Sequence, residues 1–264
     1  MIEKVFRNEE HEIFYSVTGT GEPVLLIHGF GEDGTIWDLV IKDLTREFRF
    51  VIPDLPGSGK SIMKKGDWSM EGFANGIKTV MDQEEIIKAP VIGHSMGGYI
   101  TLAFAEKFED RLTGLGLFHS SAFADNDEKI ATRKKGIQFI EEHGAVKFLE
   151  QSIPNLFSKD FKTRNPVIVK ELIDRYTNFG ADALVHYYHA MMQRPDRTHI
   201  LKNYPGPVLF ILGEHDTAIP LADGLRQCHM PRLSYIHILK NSGHLGMIEE
   251  TDKCREILQK FLKD

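Results

Sequence analysis

Gly93-His94-Ser95-Met96-Gly97-Gly98 sits between an apolar run, Ala89-Pro90-Val91-Ile92, and a helix-forming one, Tyr99-Ile100-Thr101-Leu102-Ala103-Phe104-Ala105. This context predicts a strand, a sharp turn and a helix, with Ser95 at the apex. A serine pushed out on a strained turn crowds the residues two before and two after it. Only side chains near hydrogen in size fit there, and Gly93 and Gly97 supply them in a G-x-S-x-G pattern. The helix that follows aims its first amides at the same point, which favours negative charge.

Outward from this turn, short and nearly continuous apolar runs recur: Val24–Ile27, Phe50–Ile52, Leu115–Phe118 and Val208–Leu212. Such runs mark parallel strands buried on both faces. Helical patterns separate them, at about 34–46, 69–85, 97–108 and 220–229, and Cys254, Ile257, Leu258, Phe261 and Leu262 form a helix face at the end of the chain. Strand and helix alternate, which predicts a doubly wound, mostly parallel α/β sheet. Ile2 to Arg7 and Glu12 to Val17 alternate instead, and the polar Asn8-Glu9-Glu10-His11 between them suggests an opening hairpin. The alternation stops at about Ser121 and resumes after Pro205-Gly206-Pro207. Four helices are expected between: Glu128–His143, Ala145–Gln151, Pro166–Phe179 and Asp182–Gln193. The expected organisation is a core of residues 1–120 and 204–264 with a helical cap inserted at 121–203.

The chain has 264 residues, 42% of them hydrophobic, and a net charge of -6, with no basic block. A substantial core is therefore expected, and neither nucleic acid nor a membrane surface is an expected partner. No run approaches a membrane span and the N-terminus has no signal-peptide core. Cys228 and Cys254 read as two buried thiols rather than a disulfide, which fits a reducing cytoplasm. Oligomeric state is not legible in these residues.

A serine hydroxyl is a weak nucleophile and needs a base beside it. His244, in Asn241-Ser242-Gly243-His244-Leu245, lies in a small-residue loop between the strand-like Leu233–Leu239 and the final helix. Loops at the C-terminal edge of a parallel sheet are where such groups converge. The base needs an orienting carboxylate. Asp216 follows the strand Val208–Leu212 in Gly213-Glu214-His215-Asp216-Thr217-Ala218-Ile219-Pro220; Glu214 is the rival, nearer the strand end.

The order Ser95, Asp216, His244 resembles that of the α/β-hydrolase superfamily, and the resemblance runs over nearly the whole chain. It implies the α/β-hydrolase fold, Ser95 as nucleophile, Asp216 as acid and His244 as base. His28-Gly29-Phe30-Gly31 resembles the family's HG-x oxyanion loop, which implies backbone donors at Phe30 and Met96. His28 and His94 read as structural, not catalytic. Asp54-Leu55-Pro56-Gly57-Ser58-Gly59-Lys60-Ser61 resembles the family's D-x-x-G-x-G-x-S turn. Its Gly-Lys-Ser also suggests a phosphate loop, but that motif needs glycine where Asp54 stands.

The resemblance implies a serine-dependent hydrolase of small carboxylic esters, lactones or related acyl compounds, with a small-molecule substrate and no cofactor. Haloalkane dehalogenases and epoxide hydrolases share the fold but use an aspartate nucleophile, so Ser95 argues against both. A carbon–carbon bond hydrolase or a cofactor-free perhydrolase would use the same triad. A small-molecule receptor or signalling member of the fold is the alternative of a different class, and Asp33 and Trp37 after the His28 loop look somewhat like one. Candidate pocket residues are Trp37, Phe123, Tyr187, Tyr188, Met191, Met192 and Leu245. Phe139, Phe148 and Phe157 add to the apolar content of the insertion, most of which reads as its own core. No metal site is expected: His186 and His189 share a helix face without a supporting motif.

Overall fold

A computed structural model describes residues 1–9, 12–176 and 179–264. Its eight strands are β1 (Ile2–Arg7), β2 (Glu12–Gly19), β3 (Glu22–Ile27), β4 (Phe48–Pro53), β5 (Ala89–His94), β6 (Leu112–Phe118), β7 (Val208–Gly213) and β8 (Ser234–Leu239). They form one sheet in the order β1-β2-β4-β3-β5-β6-β7-β8. The pairs β1–β2 and β2–β4 are antiparallel, and every later pair is parallel. This is the mostly parallel α/β-hydrolase sheet. Of the expected connection Asn8-Glu9-Glu10-His11, Glu10 and His11 lie outside the described residues.

Successive strand residues point to opposite faces, so each buried strand feeds two cores. Leu25 and Ile27 of β3 pack on one side with α2 (Met70–Gln83) and α3 (Met96–Phe108). Val24 and Leu26 pack on the other, with Trp37 and the apolar face of the last helix, Cys254, Ile257, Leu258 and Phe261. That last helix is α12 (Thr251–Lys263), preceded by the short α11 (Gly246–Glu249).

Two expected helices are shorter than their sequence patterns. The stretch at 34–46 begins as a 3-10 turn, Gly34–Trp37, and becomes α1 over Asp38–Ile41 only. Beyond Ile41 the chain tightens into turns: the Leu44 amide donates to the Ile41 carbonyl and the Glu47 amide to the Leu44 carbonyl, each three residues back, while Thr45 O accepts from the Thr20 amide. Likewise α10 covers Leu221–Leu225, not 220–229. Beyond it the buried Gln227 side chain turns inward to bridge the Ser120 carbonyl and the Ala122 amide, each at 2.8 Å.

Between β6 and β7 lie α4 (Asp127–His143), α5 (Ala145–Ser152), α6 (Lys159–Arg164), α7 (Pro166–Arg175), α8 (Ala181–Gln193) and α9 (Thr198–Asn203). The short α6 and α9 were not separable from loop by periodicity. The expected helix reaching Phe179 ends at Arg175, and Thr177 and Asn178 lie outside the described residues. Both cysteines are free and buried. No helix of the described residues is long and apolar enough to cross a membrane.

In the sheet order β4-β3-β5, the chain steps from β3 to one side and then returns to the other. Ligands of open α/β sheets bind at such a switch point, beyond the carboxyl ends of the strands. The loop after β3 carries His28 to Gly31, and the turn after β5 carries Ser95.

Candidate active site

Ser95 sits between β5 and α3 with φ +51 and ψ -114, a backbone state that L side chains rarely adopt. The fold holds it there from both ends. Its amide donates to the Phe118 carbonyl at 2.9 Å, and its carbonyl accepts the Ser120 hydroxyl at 2.7 Å. The glycines are required by contact. A Cβ on Gly93 would lie 2.1 Å from the Gly97 backbone, and one on Gly97 would lie 2.4 Å from the Ile27 carbonyl oxygen.

Asp216 and His244 come from the loops after β7 and β8, which are neighbours in the sheet. The His244 ring nitrogen Nδ1 is 2.7 Å from Asp216 Oδ2, and both residues are buried. The other oxygen, Oδ1, accepts from the amides of Ala218 and Ile219 at 2.8 and 2.9 Å. Burial alone would raise the Asp216 carboxyl, but His244 and His119 hold it well below the usual carboxylate range. Glu214 is exposed, and only Asp216 meets the imidazole. The His244 amide donates to the carbonyl of Leu156 at 2.7 Å, so the segment between β6 and β7 fixes the histidine loop.

Three further histidines lie in the same layer. His28 Nδ1 is 2.8 Å from the Gly29 carbonyl, while its Nε2 accepts the Leu55 amide at 2.9 Å. The ring thus ties the Phe30 loop to the turn at 54–61. Asp54 makes the second tie, accepting the Gly34 and Lys60 amides at 2.9 and 2.8 Å.

His94 is wholly buried, and both its nitrogens face acceptors: Glu32 Oε2 at 2.9 Å and the His244 carbonyl at 2.9 Å. This arrangement suits an imidazolium paired with a carboxylate. Burial opposes charge on each. Even so, Glu32 and the His244 carbonyl raise the His94 pKa, while His94 and the Gly29 amide hold Glu32 below its ordinary value. Since Glu32 also accepts the Gly29 amide at 2.8 Å, one ion pair joins the oxyanion-type loop, the elbow and the His244 loop.

His119, wholly buried, accepts the Gly246 amide on Nε2 at 3.2 Å, which leaves its proton on Nδ1. That nitrogen lies 3.3 Å from Asp216 Oδ2 but out of line for a hydrogen bond. Burial lowers its pKa to about 4, so it stays neutral. Among the described residues, His119, Asp216 and His244 are the group whose ligand atoms could reach one cation. Asp216 Oδ2 is already taken up by the His244 ring.

Ser95 and His244 line one cavity of about 480 Å³. Of the candidate pocket residues, Tyr188, Met191 and Leu245 are in its wall, together with Phe30, the expected oxyanion-loop residue. Tyr188 stacks on Phe30 with centroids 4.4 Å apart, and burial pushes its hydroxyl up to about 12. Met96 is buried beneath Ser95 at the start of α3. Four other candidates are elsewhere. Trp37 is wholly buried under the site, edge-on to Phe118 at 5.4 Å and His94 at 6.5 Å. Tyr187 points the other way from Tyr188, donating to the Pro56 carbonyl at 2.8 Å and packing on Phe73. Phe123 lies under Arg226, at 4.8 Å, and Met192 is outside the wall. Phe148, named among the apolar residues of the insertion, also lines it, as do Tyr99, Arg133 and Leu156, which sequence reasoning missed. Arg133 carried no signal of its own among the many charges of α4.

A strained serine, a histidine–aspartate pair and a cavity beside the ends of β3 and β5 can together support nucleophilic attack on a carbonyl. The chain belongs to the family described as alpha/beta hydrolase fold, whose profile matches residues 22–251. It is 26% identical to a 2-hydroxy-6-oxononadienedioate/2-hydroxy-6-oxononatrienedioate hydrolase of Burkholderia vietnamiensis, over 96% of this chain and 92% of that one. Among solved structures, a thermophilic esterase from Thermogutta terrifontis with malate bound superposes with a TM-score of 0.93 at 27% identity, covering 100% of this chain and 98% of that one. The enol-lactonase of Burkholderia xenovorans gives 0.91 at 23% identity, covering 99% and 100%, a likeness of fold.

Proposed function

We propose that the chain is a serine hydrolase of carboxylic esters or lactones that works through an acyl-enzyme. The observation that carries this reading is one cavity lined by both Ser95, at φ +51, and His244, with Asp216 2.7 Å behind the imidazole. Ser95 Oγ attacks the acyl carbon and passes its proton to His244. Asp216 holds the imidazole in the required tautomer and stabilises its cation. The amides of Phe30 and Met96 receive the developing oxyanion. The tetrahedral intermediate then expels the alkoxide, which takes the proton from His244. Water, deprotonated by His244, releases the acid from Ser95. The helices α4 to α9 act as a cap on the core of residues 1–120 and 204–264, and they shape the pocket for the acyl group.

The test is steady-state hydrolysis of p-nitrophenyl esters of increasing chain length, with lactones alongside, by the wild type and by Ser95→Ala. Turnover should appear in the first protein and vanish in the second, with a stability change within about 1 kcal/mol. Turnover retained by Ser95→Ala, or none in either protein, would contradict the reading.

Carbon–carbon bond cleavage is the second reading, favoured by relatives such as the 2-hydroxy-6-oxo-2,4-heptadienoate hydrolase of Pseudomonas putida, 25% identical over 92% of this chain. A vinylogous 1,5-diketone acid assayed beside the esters separates the two by relative kcat/KM.

A further inference from the structure

The cavity wall carries a cation, Arg133, that shares its carboxylate partner with a second arginine. Asp125, its side chain wholly buried, serves two arginines. Arg194 Nη1 lies 3.0 Å from its carboxylate, and Arg194 also donates to the carbonyls of Met191 and Phe123. Arg133 donates to Asp125 through Nε at 2.6 Å and Nη2 at 3.2 Å. One carboxylate thus faces two guanidiniums, and Arg133 Nη1 has no protein partner among the described residues. Arg133 lines the cavity with Lys129, four residues earlier and so on the same face of α4. The lining carboxylates do not cancel this charge. Glu32 is paired with His94, Asp223 lies 3.6 Å from Arg226, and Glu128 is exposed.

The position of the cation relates it to the reacting centre. The Arg133 guanidinium lies 5.7 Å from the Tyr188 ring centroid, and that ring stacks on Phe30 at 4.4 Å. The free Nη1 is therefore about one aromatic ring away from the loop that would bind the oxyanion. A guanidinium with an open edge in a confined site is matched by a carboxylate, through charge-assisted hydrogen bonds.

We propose that this site selects acyl substrates bearing a second, anionic group, a carboxylate in the acyl chain, and that Arg133 with Lys129 determines this specificity. The proposal rests on Ser95 acting in ester or lactone hydrolysis. The probes are the mono-p-nitrophenyl ester of adipic acid and the same ester with its free acid capped as the methyl ester. In the wild type kcat/KM should favour the free acid on the order of tenfold or more. Arg133→Gln should remove most of that ratio, Arg133→Lys should retain part of it, and Lys129→Met should reduce it less. A wild-type ratio at or below one overturns the proposal while leaving the ester reading intact. So does an unchanged ratio in folded Arg133→Gln. Should Arg133→Gln fail to fold, a wild-type ratio kept undiminished by Lys129→Met and altered by neither charge-preserving Arg133→Lys nor added salt overturns it. If neither ester is turned over, the ester reading fails, and calorimetric titration of adipate still decides the anion site. Binding to wild type that Arg133→Gln loses supports the site, and no binding to wild type overturns it.

Discussion

Ser95, Asp216 and His244 were legible in the sequence because each stands in a local pattern that small residues enforce. The Gly93–Gly97 contact and the short turns after β7 and β8 leave few alternatives for where those side chains point. Tyr187 and Tyr188 show the opposite case. Adjacent residues on a helix point about 100° apart, so only one of the pair can face the cavity, and the seating of α8 decides which. No local pattern encodes that seating. The rivalry between Asp216 and Glu214 is tested at this scale. Asp216→Asn should lower kcat on the order of 10³- to 10⁴-fold with little change in KM, because the tautomer is lost and the pocket is kept. Glu214→Gln, altering an exposed side chain, should leave both constants near wild type. Kinetics on a single short-chain ester decide the matter, and a reversal of the two results would move the acid to Glu214.

At the scale of elements, the strands were read correctly because a sheet buried on both faces leaves a nearly continuous apolar signature. The helices α6 and α9 were missed because six residues cover less than two turns and show no period. The expected helix at 34–46 is broken into a 3-10 turn, a short helix and further turns, and its Thr45 carbonyl bonds the Thr20 amide in the turn after β2. The helix α8 offers a sharp test, since its two faces do different work. Tyr188→Ala or Met191→Ala opens the cavity wall and should change the preference among acyl chain lengths. Tyr187→Ala removes a wholly buried ring and its bond to the Pro56 carbonyl, and should cost about 3–5 kcal/mol of stability. Chain-length profiles and urea melts on the three variants check both halves. An unaltered profile in both Tyr188→Ala and Met191→Ala would remove α8 from the specificity pocket.

At the scale of the whole molecule, the sheet gathers loops from β3, β5, β6, β7 and β8 into one layer of histidines and carboxylates. Such a layer couples stability to pH. An unfolded histidine titrates near about 6.5, whereas buried His119 is held to about 4. Between those values the unfolded chain binds a proton that the folded chain does not, so stability falls as pH falls through this interval. His119→Asn tolerates the φ of +48 there and does not titrate. Its unfolding free energy should decline less steeply than wild type between pH 7 and pH 4, by up to about 3 kcal/mol. Parallel curves from urea melts across that range would show that His119 is not held neutral.

The most direct measurement of the central claim is site mapping with a small fluorophosphonate, which phosphonylates only a serine activated by its neighbours. The account predicts one adduct per chain, located by mass spectrometry on Ser95, with loss of esterase turnover in step. Ser95→Ala should take up no label, and Asp216→Asn should take it up far more slowly. An adduct on another residue, or an unlabelled Ser95 in a protein that still turns over esters, would contradict it.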